Sequence, residues 1–91
     1  MIEFRQLRYF VAIVDAGSLT RASALLHIAQ PALSQQMVDL ESSVGVQLLI
    51  RSVKGVTPTV AGQAVYRHAQ KILHMREQTI DVAKGAASQV S

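Results

Sequence analysis

Apolar residues recur at helical spacing through the first half of the chain and predict three short helices. Each helix has one apolar face, whose positions follow an i, i+3, i+4 or i+7 pattern. The first face lies within residues 4–16 and is formed by Leu7, Phe10, Val11 and Val14. The second is formed by Leu19, Ala22, Leu25 and Leu26, and the third by Leu33, Met37, Leu40 and Val44. Three faces of this kind can enclose one small core.

Capping and turn residues predict where these helices begin and end. Gly17 is well placed to end the first helix. Ser18 offers a hydroxyl N-cap to the second helix, with Thr20 as the competing cap. Residues 27–29 form the next turn, and Pro31 fits the first position of the third helix, where a missing N–H has no consequence. The second and third helices are therefore joined by a tight turn.

A short hairpin is predicted after the third helix. Residues 48–50 favour one strand and residues 56–57 favour another. Lys54 and Gly55 lie in the connecting turn. Because a two-stranded sheet of this length is not stable alone, we expect it to pack on the helices as a small wing.

The remaining residues predict one long helix. Thr59 caps it after Pro58, and the helical pattern runs to about Ala83 or Ala87. Some 25 residues would span roughly 37 Å, which is more than a domain this small needs for itself. Its seam of small and aliphatic residues consists of Ala61, Val65, Ala69, Ile72, Met75 or Arg76, Thr79, and Val82 or Ala83. The seam either folds back entirely onto the first helix or, as we expect, packs its first half there and pairs the rest with a second chain. Residues 85–91 are expected to fray or to begin a linker.

Composition limits the chain to one small, mainly helical domain. Its 91 residues are 49% apolar and include only four aromatic residues, so the core must be mostly aliphatic. The absence of cysteine excludes disulfides and thiolate metal sites. The first residues lack the apolar run of a signal peptide, and no stretch approaches the roughly 20 apolar residues that span a bilayer. We therefore expect a soluble cytoplasmic protein.

The net charge of +3 allows a polyanionic partner without requiring one. Residues 1–58 carry one more Lys or Arg than Asp and Glu, and residues 59–91 carry two more. This is not a polybasic tail. Nucleic-acid affinity must therefore come from placed side chains and helix N-termini.

The leading face of the third helix is polar but uncharged. It consists of Gln30, Pro31, Ala32, Ser34, Gln35 and Gln36. A row of amides and hydroxyls opposite a buried stripe suits a helix that reads base edges in a DNA groove. The same row suits a solvated surface helix equally well, and periodicity alone does not separate the two.

Three segments carry motifs at recognisable spacings. They are LRYFVAIVDAGSLTRASALLHIAQPALSQQMVDLESSVGVQLL, IRSVKGVTPT and VAGQAVYRHAQKIL, which together run from about Leu7 to about Leu73. In this order and spacing, the segments resemble the N-terminal region of a LysR-type transcriptional regulator. Within that family, AQPALSQQ followed by LLIRS-x-x-GVTPT is similar to the nitrogen-assimilation-control type.

The resemblance implies a winged helix-turn-helix DNA-binding domain over residues 1–58 and a dimerising linker helix over residues 59–91. It also implies an effector-binding domain, which is absent from these 91 residues. We expect a piece of a longer regulator, with a naturally short protein as the alternative. The implied function is sequence-specific binding of double-stranded operator or promoter DNA by a homodimer or higher homo-oligomer, with any effector bound by the missing domain.

The resemblance also implies site residues by matching position. The base-reading segment falls on Gln30, Pro31, Ala32, Ser34 and Gln35. Thr20 and Arg21 open the helix that crosses the DNA backbone, and the wing supplies Arg51 and Lys54. The seam residues expected at the dimer contact are Val65, Ala69, Ile72, Arg76 and Ala83. Many family members have arginine where this chain has Gln35, which leaves the preferred base open because glutamine can pair bidentately with adenine.

Other chemistries find little support in the sequence. His68 and His74 lie roughly 240° apart around a helix, and neither they nor His27 have a cysteine or clustered carboxylates to complete a metal site. Neither Ser18 nor Ser34 has a histidine and an aspartate placed for nucleophilic catalysis. We therefore expect no metal, no cofactor and no enzyme activity.

Two alternatives stay open at this point. The chain could be a helical protein-interaction adaptor that uses its long helix and has no DNA specificity. Within the DNA-binding interpretation, Arg51 could equally be held by the Glu41 carboxylate instead of contacting DNA.

Overall fold

The computed structural model describes residues 1–90, with side-chain environments for residues 1–89. Its elements in chain order are α1 (Phe4–Ala16), α2 (Leu19–Leu26), α3 (Gln30–Val44), β1 (Leu49–Ser52), β2 (Gly55–Pro58) and α4 (Val60–Val90). The two strands form an antiparallel hairpin beside the helices α1 to α3, and α4 packs along α1. This mainly helical arrangement with a two-stranded wing confirms the predicted fold class.

The predicted face of helix α1 is confirmed at Phe10, which is fully buried, and Leu7 and Val14 pack against the core, but the buried face is centred on other residues. The buried residues of α1 are Gln6, Tyr9, Phe10 and Ile13. The predicted members Leu7, Val11 and Val14 are only half-buried. Gln6 is 5% exposed although it is polar, because its side-chain oxygen accepts a hydrogen bond from the Glu3 N–H at 3.0 Å. This bond satisfies a backbone donor at the start of the helix and lets an amide replace an apolar residue at the core.

The start of α2 follows the sequence pattern, and its predicted buried face is confirmed at Leu19 and Ala22, with Leu26 half-buried against the core. Ser18 Oγ accepts a hydrogen bond from the Arg21 N–H at 3.2 Å, so Ser18 is the cap and Thr20 is not. The prediction for Leu25 is wrong, because that side chain is 67% exposed. Ser23 is buried instead, and its hydroxyl donates to the Thr20 carbonyl oxygen at 2.8 Å.

The turn into α3 and the helix itself direct the polar face outward. His27 ends α2 in the left-handed conformation, with φ of 57°. Helix α3 begins at Gln30, so Pro31 occupies its second position and not the first. An N–H at the second position has no partner within the helix either, so the missing N–H of proline has no consequence there. The predicted stripe is confirmed at Leu33, Met37 and Leu40, each at most 1% exposed.

The wing is a hairpin with a two-residue turn. Ser52 pairs with Gly55, so the turn is Val53 and Lys54, one residue earlier than predicted, and both strands are longer than predicted. The Val56 N–H donates to the Gly17 carbonyl oxygen at 2.9 Å. A Cβ at Gly55 would collide with the same oxygen, so the approach of the wing to the end of α1 requires glycine there.

The base of the wing is anchored through Leu48. The N–H groups of Leu48 and Leu49 donate to one carboxylate oxygen of Glu41, at 2.6 and 3.2 Å. The Leu48 carbonyl oxygen accepts from the Thr59 N–H at 3.0 Å. A Cβ at Gly62 would collide with that oxygen, so only glycine allows this contact. Leu48 therefore connects α3, the wing and the start of α4.

Helix α4 is longer than predicted. The sequence predicted an end near residue 83 or 87 and fraying beyond it, whereas the helix runs without a break to Val90; Ser91 lies outside the described residues. The interior Gly85 lowers helix stability by only about 1 kcal/mol, which does not by itself end a helix. Residues 74–89 are all exposed. Among the described residues, no helix combines the length and apolarity needed to cross a bilayer.

Polar contacts hold the first half of α4 against α1. The Tyr66 hydroxyl donates to Asp15 Oδ1 and accepts from Gln70 Nε2, the latter at 3.0 Å. The hydrogen bond to Asp15, with some burial and the carboxylate charge, raises the pKa of Tyr66 above its usual 10.0. The Arg76 guanidinium lies 4.6 Å from the centroid of the Phe4 ring. The half of α4 nearest the wing is thus fixed to the domain.

Candidate nucleic-acid interface

The N-terminal half of α3 presents the predicted polar face to solvent except at Gln36, which is half-buried and whose Oε1 has no hydrogen-bond partner among the described residues. Gln30, Pro31, Ala32 and Gln35 are exposed, and Ser34 is half-buried. The opposite face of the same helix is fully buried in the core. The side chains expected to read bases are therefore on a surface that a partner can reach, and they are supported from behind by close packing.

The start of α3 has no side-chain cap. Its N-cap residue, Ala29, offers no side-chain hydrogen-bond acceptor, whereas Ser18 caps α2 and Thr59 caps α4. The unpaired N–H groups of the first turn and the positive end of the helix dipole are consequently available to an anion. Thr20 closes one side of this end, because its hydroxyl donates to Gln30 Oε1 at 3.0 Å. That bond leaves the amide hydrogens of Gln30 able to donate elsewhere.

Arg51 connects the wing to α3. Its Nη1 donates to Ser34 Oγ at 2.9 Å, so the guanidinium lies beside the polar face of α3. The alternative in which Glu41 holds Arg51 is wrong, because Arg51 bonds Ser34 and the ion pair formed among the described residues is Arg5 with Glu3. With one N–H engaged by Ser34, the guanidinium keeps further donors for an anion or a base edge.

Gln35 is paired along the helix with Asp39. Gln35 Nε2 donates to Asp39 Oδ1 at 2.9 Å, and both side chains are exposed. The spacing of four residues places them one turn apart on the same face. This contact favours one orientation of the Gln35 amide, in which Nε2 faces Asp39.

The tip of the wing stands clear of the helices. Val53 is fully exposed and Lys54 is exposed beside it. The Lys54 N–H donates to Ser52 Oγ at 3.2 Å, which supports the turn. A groove of about 280 Å³ runs between the wing and the starts of α2 and α3, and Thr20, Gln30 and Arg51 line it.

The basic residues of this surface are not paired with acids in the part of the chain that the structure describes. Among residues 1–89, the ion pair that forms is between Arg5 and Glu3 at the start of α1. Arg21 is exposed in the first turn of α2 and follows Thr20, which lines the groove. The cations predicted to meet phosphates therefore keep their charge available for a polyanion.

The histidines do not form a metal centre. No group of three or more His, Cys, Asp or Glu residues able to hold a metal ion occurs in the described part of the chain. His27 lies in the turn before α3, whereas His68 and His74 lie on α4.

The predicted seam residues occupy different environments on α4. Val65 and Ile72 are half-buried and Ala69 is 1% exposed. Arg76 stacks on Phe4, and Ala83 is exposed. An apolar groove of about 530 Å³ lies where α4 passes α1 and the end of α3, and its lining includes Ile2, Leu7, Val44, Val65 and Ile72.

Sequence reasoning missed two acidic residues of the site region. Asp39 was not considered as the partner of Gln35, although the four-residue spacing on one helix is a usable signal. Glu41 was considered only as a partner of Arg51. Its contact with the backbone of Leu48 and Leu49 depends on how the chain folds back after α3, which no local pattern shows.

The chain matches a known family over most of its length. Residues 4–63 match the family model described as "Bacterial regulatory helix-turn-helix protein, lysR family". The chain is 60% identical over 77 residues to the nitrogen assimilation regulatory protein nac of Escherichia coli (strain K12), covering 85% of this chain and 25% of that protein. It is 58% identical over 77 residues to the protein of the same name from Klebsiella aerogenes, with the same coverage of each chain. The chain thus spans about a quarter of the length of these curated relatives.

Solved structures show the same fold at substantial sequence identity. The chain is similar to the protein in the crystal structure of the CbnR_DBD-DNA complex, with a TM-score of 0.90, 42% identity, and 94% of this chain and 99% of that chain covered. It is also similar to the protein in the BenM_DBD/benA site 1 DNA complex, with a TM-score of 0.89, 42% identity, and 93% and 99% covered. Both solved chains have almost the same extent as the one described above.

Proposed function

This chain belongs to the LysR family of bacterial regulatory helix-turn-helix proteins, and from that premise we propose that it binds double-stranded DNA sequence-specifically to regulate transcription. One observation carries the proposal: α3 buries an apolar stripe and exposes a row of neutral hydrogen-bonding side chains at its uncapped start. Uncharged amides and hydroxyls match the donor and acceptor pattern of base edges in the major groove.

In this proposal α3 enters the major groove with its N-terminus first. The unpaired N–H groups at its start meet a phosphate, while Gln30, Ser34 and Gln35 reach base edges. Pro31 and Ala32 offer apolar contact to a thymine methyl group. The Thr20 hydroxyl supports this orientation because its hydrogen bond holds the Gln30 side chain at the start of α3, the end that enters the major groove.

The remaining contacts are made by the cations around α3. Arg21 meets a phosphate from the start of α2, and Lys54 at the wing tip meets the backbone or the minor groove. Arg51 contacts DNA next to Ser34, because their hydrogen bond places the guanidinium beside α3. Residues 1–58 form the DNA-binding domain, and residues 59–91 form the linker and dimerisation segment, which contains α4.

We place a second copy of the chain against α4. Residues 74–89 are exposed, and they include the large apolar residues Met75, Ile80 and Val82, at 64%, 53% and 70% exposure. Apolar surface of this extent on one helix is typical of a seam that pairs with another helix. Of the predicted seam residues, Ile72, Arg76 and Ala83 are proposed as contacts of a homodimer or higher homo-oligomer. Val65 and Ala69 instead pack within the chain, Ala69 at 1% exposure.

The surroundings of this module follow from the same family membership. The full regulator acts in the cytoplasm, where its DNA is, and binds its effector in a domain outside these 91 residues. The relatives named above are transcriptional regulators, and we assign no catalytic reaction and no cofactor to this chain.

A salt titration of DNA binding tests the proposal. A duplex is first selected from a random-sequence pool with the protein, and its affinity is then measured from low to high salt beside a scrambled duplex. The selected duplex is expected to bind more tightly, with a log–log slope of about −0.9 per phosphate neutralised. Arg21→Ala should reduce that slope by about one contact, whereas Lys84→Ala on the exposed end of α4 should not.

The outcome that contradicts the proposal is equally clear. A helical adaptor that uses α4 alone would enrich no duplex in the selection. It would also bind duplexes of different sequence with the same weak affinity.

A further inference from the structure

Asp39 is an acidic residue on the surface that we propose faces DNA. It lies one helical turn after Gln35 and is exposed. Among the described residues Asp39 makes no ion pair, since the ion pair that forms there is between Arg5 and Glu3. A carboxylate close to a polyanion weakens attraction to every sequence. It is the tenth residue of α3, so it does not serve the N-terminal end of the helix dipole either.

The contact that Asp39 does make is with the Gln35 amide. Gln35 Nε2 donates to Asp39 Oδ1 at 2.9 Å. A primary amide has two N–H donors and one carbonyl acceptor, and this bond uses one of the donors. One donor and the acceptor remain for a base.

The donor and acceptor that remain free on the Gln35 amide distinguish adenine from guanine. In the major groove adenine presents the N7 acceptor beside the N6 amino donor, which matches one N–H and one carbonyl oxygen. Guanine presents two acceptors, N7 and O6, and would require both N–H groups of the amide. One of these is held by Asp39, and the carboxylate would also repel the electron-rich O6.

We propose that Asp39 is a positioning residue that holds the Gln35 amide in the orientation complementary to adenine and unfavourable to guanine. The inference rests on the proposed function and deepens it by naming the base that this site selects. Asp39 lowers affinity for DNA in general and in return raises discrimination at one base pair.

The experiment compares wild type, Asp39→Ala, Asp39→Asn and Gln35→Ala on a set of duplexes. The set is derived from the selected duplex and carries all four base pairs at each position in turn. The position that loses its preference in Gln35→Ala identifies the contacted base pair. Glu77→Ala, which removes an exposed acid from α4, is the matched control for charge.

Wild type is expected to prefer adenine over guanine at the contacted position. Asp39→Ala should lose roughly tenfold of that preference and should bind all duplexes more tightly, because a negative charge is gone. Asp39→Asn keeps a side-chain oxygen that can accept from Gln35 Nε2, and it should retain most of the preference. In the Gln35→Ala background, Asp39→Ala should leave the base preference unchanged. Alanine is a better helix former than aspartate, so α3 is not weakened by the substitution.

Two results overturn the inference. If Asp39→Ala changes the affinity for all duplexes equally and keeps the base preference, Asp39 acts only through its charge. If wild type prefers guanine at the contacted position, the orientation of the amide is not the one described. Failure of the proposed function itself is distinguishable, because wild type would then show no preferred duplex at all.

Discussion

Glu41 provides the sharpest test of how the wing is held. It lies in the last turn of α3, where a negative charge is unfavourable to the helix dipole by about 0.3–1 kcal/mol. It nevertheless accepts two backbone hydrogen bonds from the base of the wing, at 2.6 and 3.2 Å. Hydrogen bonds to a charged acceptor contribute roughly 1.5–3 kcal/mol each when they are well protected from water.

The structure sets the size of the expected effect. Glu41 is only half-buried, so water replaces part of what Glu41→Ala removes, and the helix regains a little from the lost charge. We therefore expect Glu41→Ala to lower the free energy of unfolding by about 2 kcal/mol. For a chain of this size that corresponds to a fall in Tm of roughly 10 °C. Glu41→Gln keeps one acceptor oxygen without the charge and should lose about half as much.

Urea unfolding followed by circular dichroism measures these differences. All variants are compared at one protein concentration, because the stability of a dimer depends on concentration. The slope with urea should be unchanged, so that the midpoint alone moves. Glu77→Ala, at an exposed position on α4, is the control and should stay within about 0.5 kcal/mol of wild type. If Glu41→Ala behaves like that control, the carboxylate does not hold the wing.

Three further predictions concern other parts of the molecule. Gln35→Ala should lower specificity by about 1–3 kcal/mol at one base position while sparing non-specific binding, and an equal loss on every duplex would place Gln35 on the DNA backbone. Ile72→Glu should weaken self-association of the chain because it puts a charge into the proposed seam; an unchanged sedimentation coefficient across concentrations would contradict that seam. The Tyr66 phenol holds its proton more tightly in the folded state than in the unfolded state, so its contribution to stability is complete below pH 10.0 and is lost as the pH rises through the raised pKa. In an absorbance titration at 295 nm, wild type should show a phenol that ionises above pH 10.0 and that Asp15→Asn shifts downward, whereas an identical curve for the two proteins would show that Asp15 does not act on Tyr66.

Much of the fold could be predicted because its signals are local. Helical spacing of apolar residues, a serine cap and glycine at a helix end depend on neighbours within four residues. The predictions of burial that failed did so because of side-chain hydrogen bonds within the same short range of residues. Gln6 is polar and so gives no sign of burial in the apolar pattern, yet its amide is used at the start of α1 and is buried. Leu25 was assigned to the core by its apolarity, while Ser23 lies there because its hydroxyl finds a carbonyl partner one turn earlier.

The candidate site was predictable in its position and less so in its contacts. The exposure of the polar face of α3 follows from the buried stripe behind it, which the sequence shows directly. The bond between Arg51 and Ser34 joins residues seventeen apart and exists only because the wing folds back toward α3. No periodic pattern contains that information, since it depends on the register of the hairpin and on the anchoring of its base.

Leu48 has a consequence for how the proposed dimer meets DNA. Its N–H is held from α3 and its carbonyl oxygen from the start of α4, so the direction in which α4 leaves the domain is fixed relative to the reading helix. Two copies joined through α4 then present their reading helices at a set angle and separation. Inserting one base pair between the two halves of an operator turns one half by roughly 34–36° about the DNA axis. Because α4 leaves each domain in a fixed direction, the dimer cannot follow that rotation. The two halves of the operator must therefore keep their relative rotation about the DNA axis.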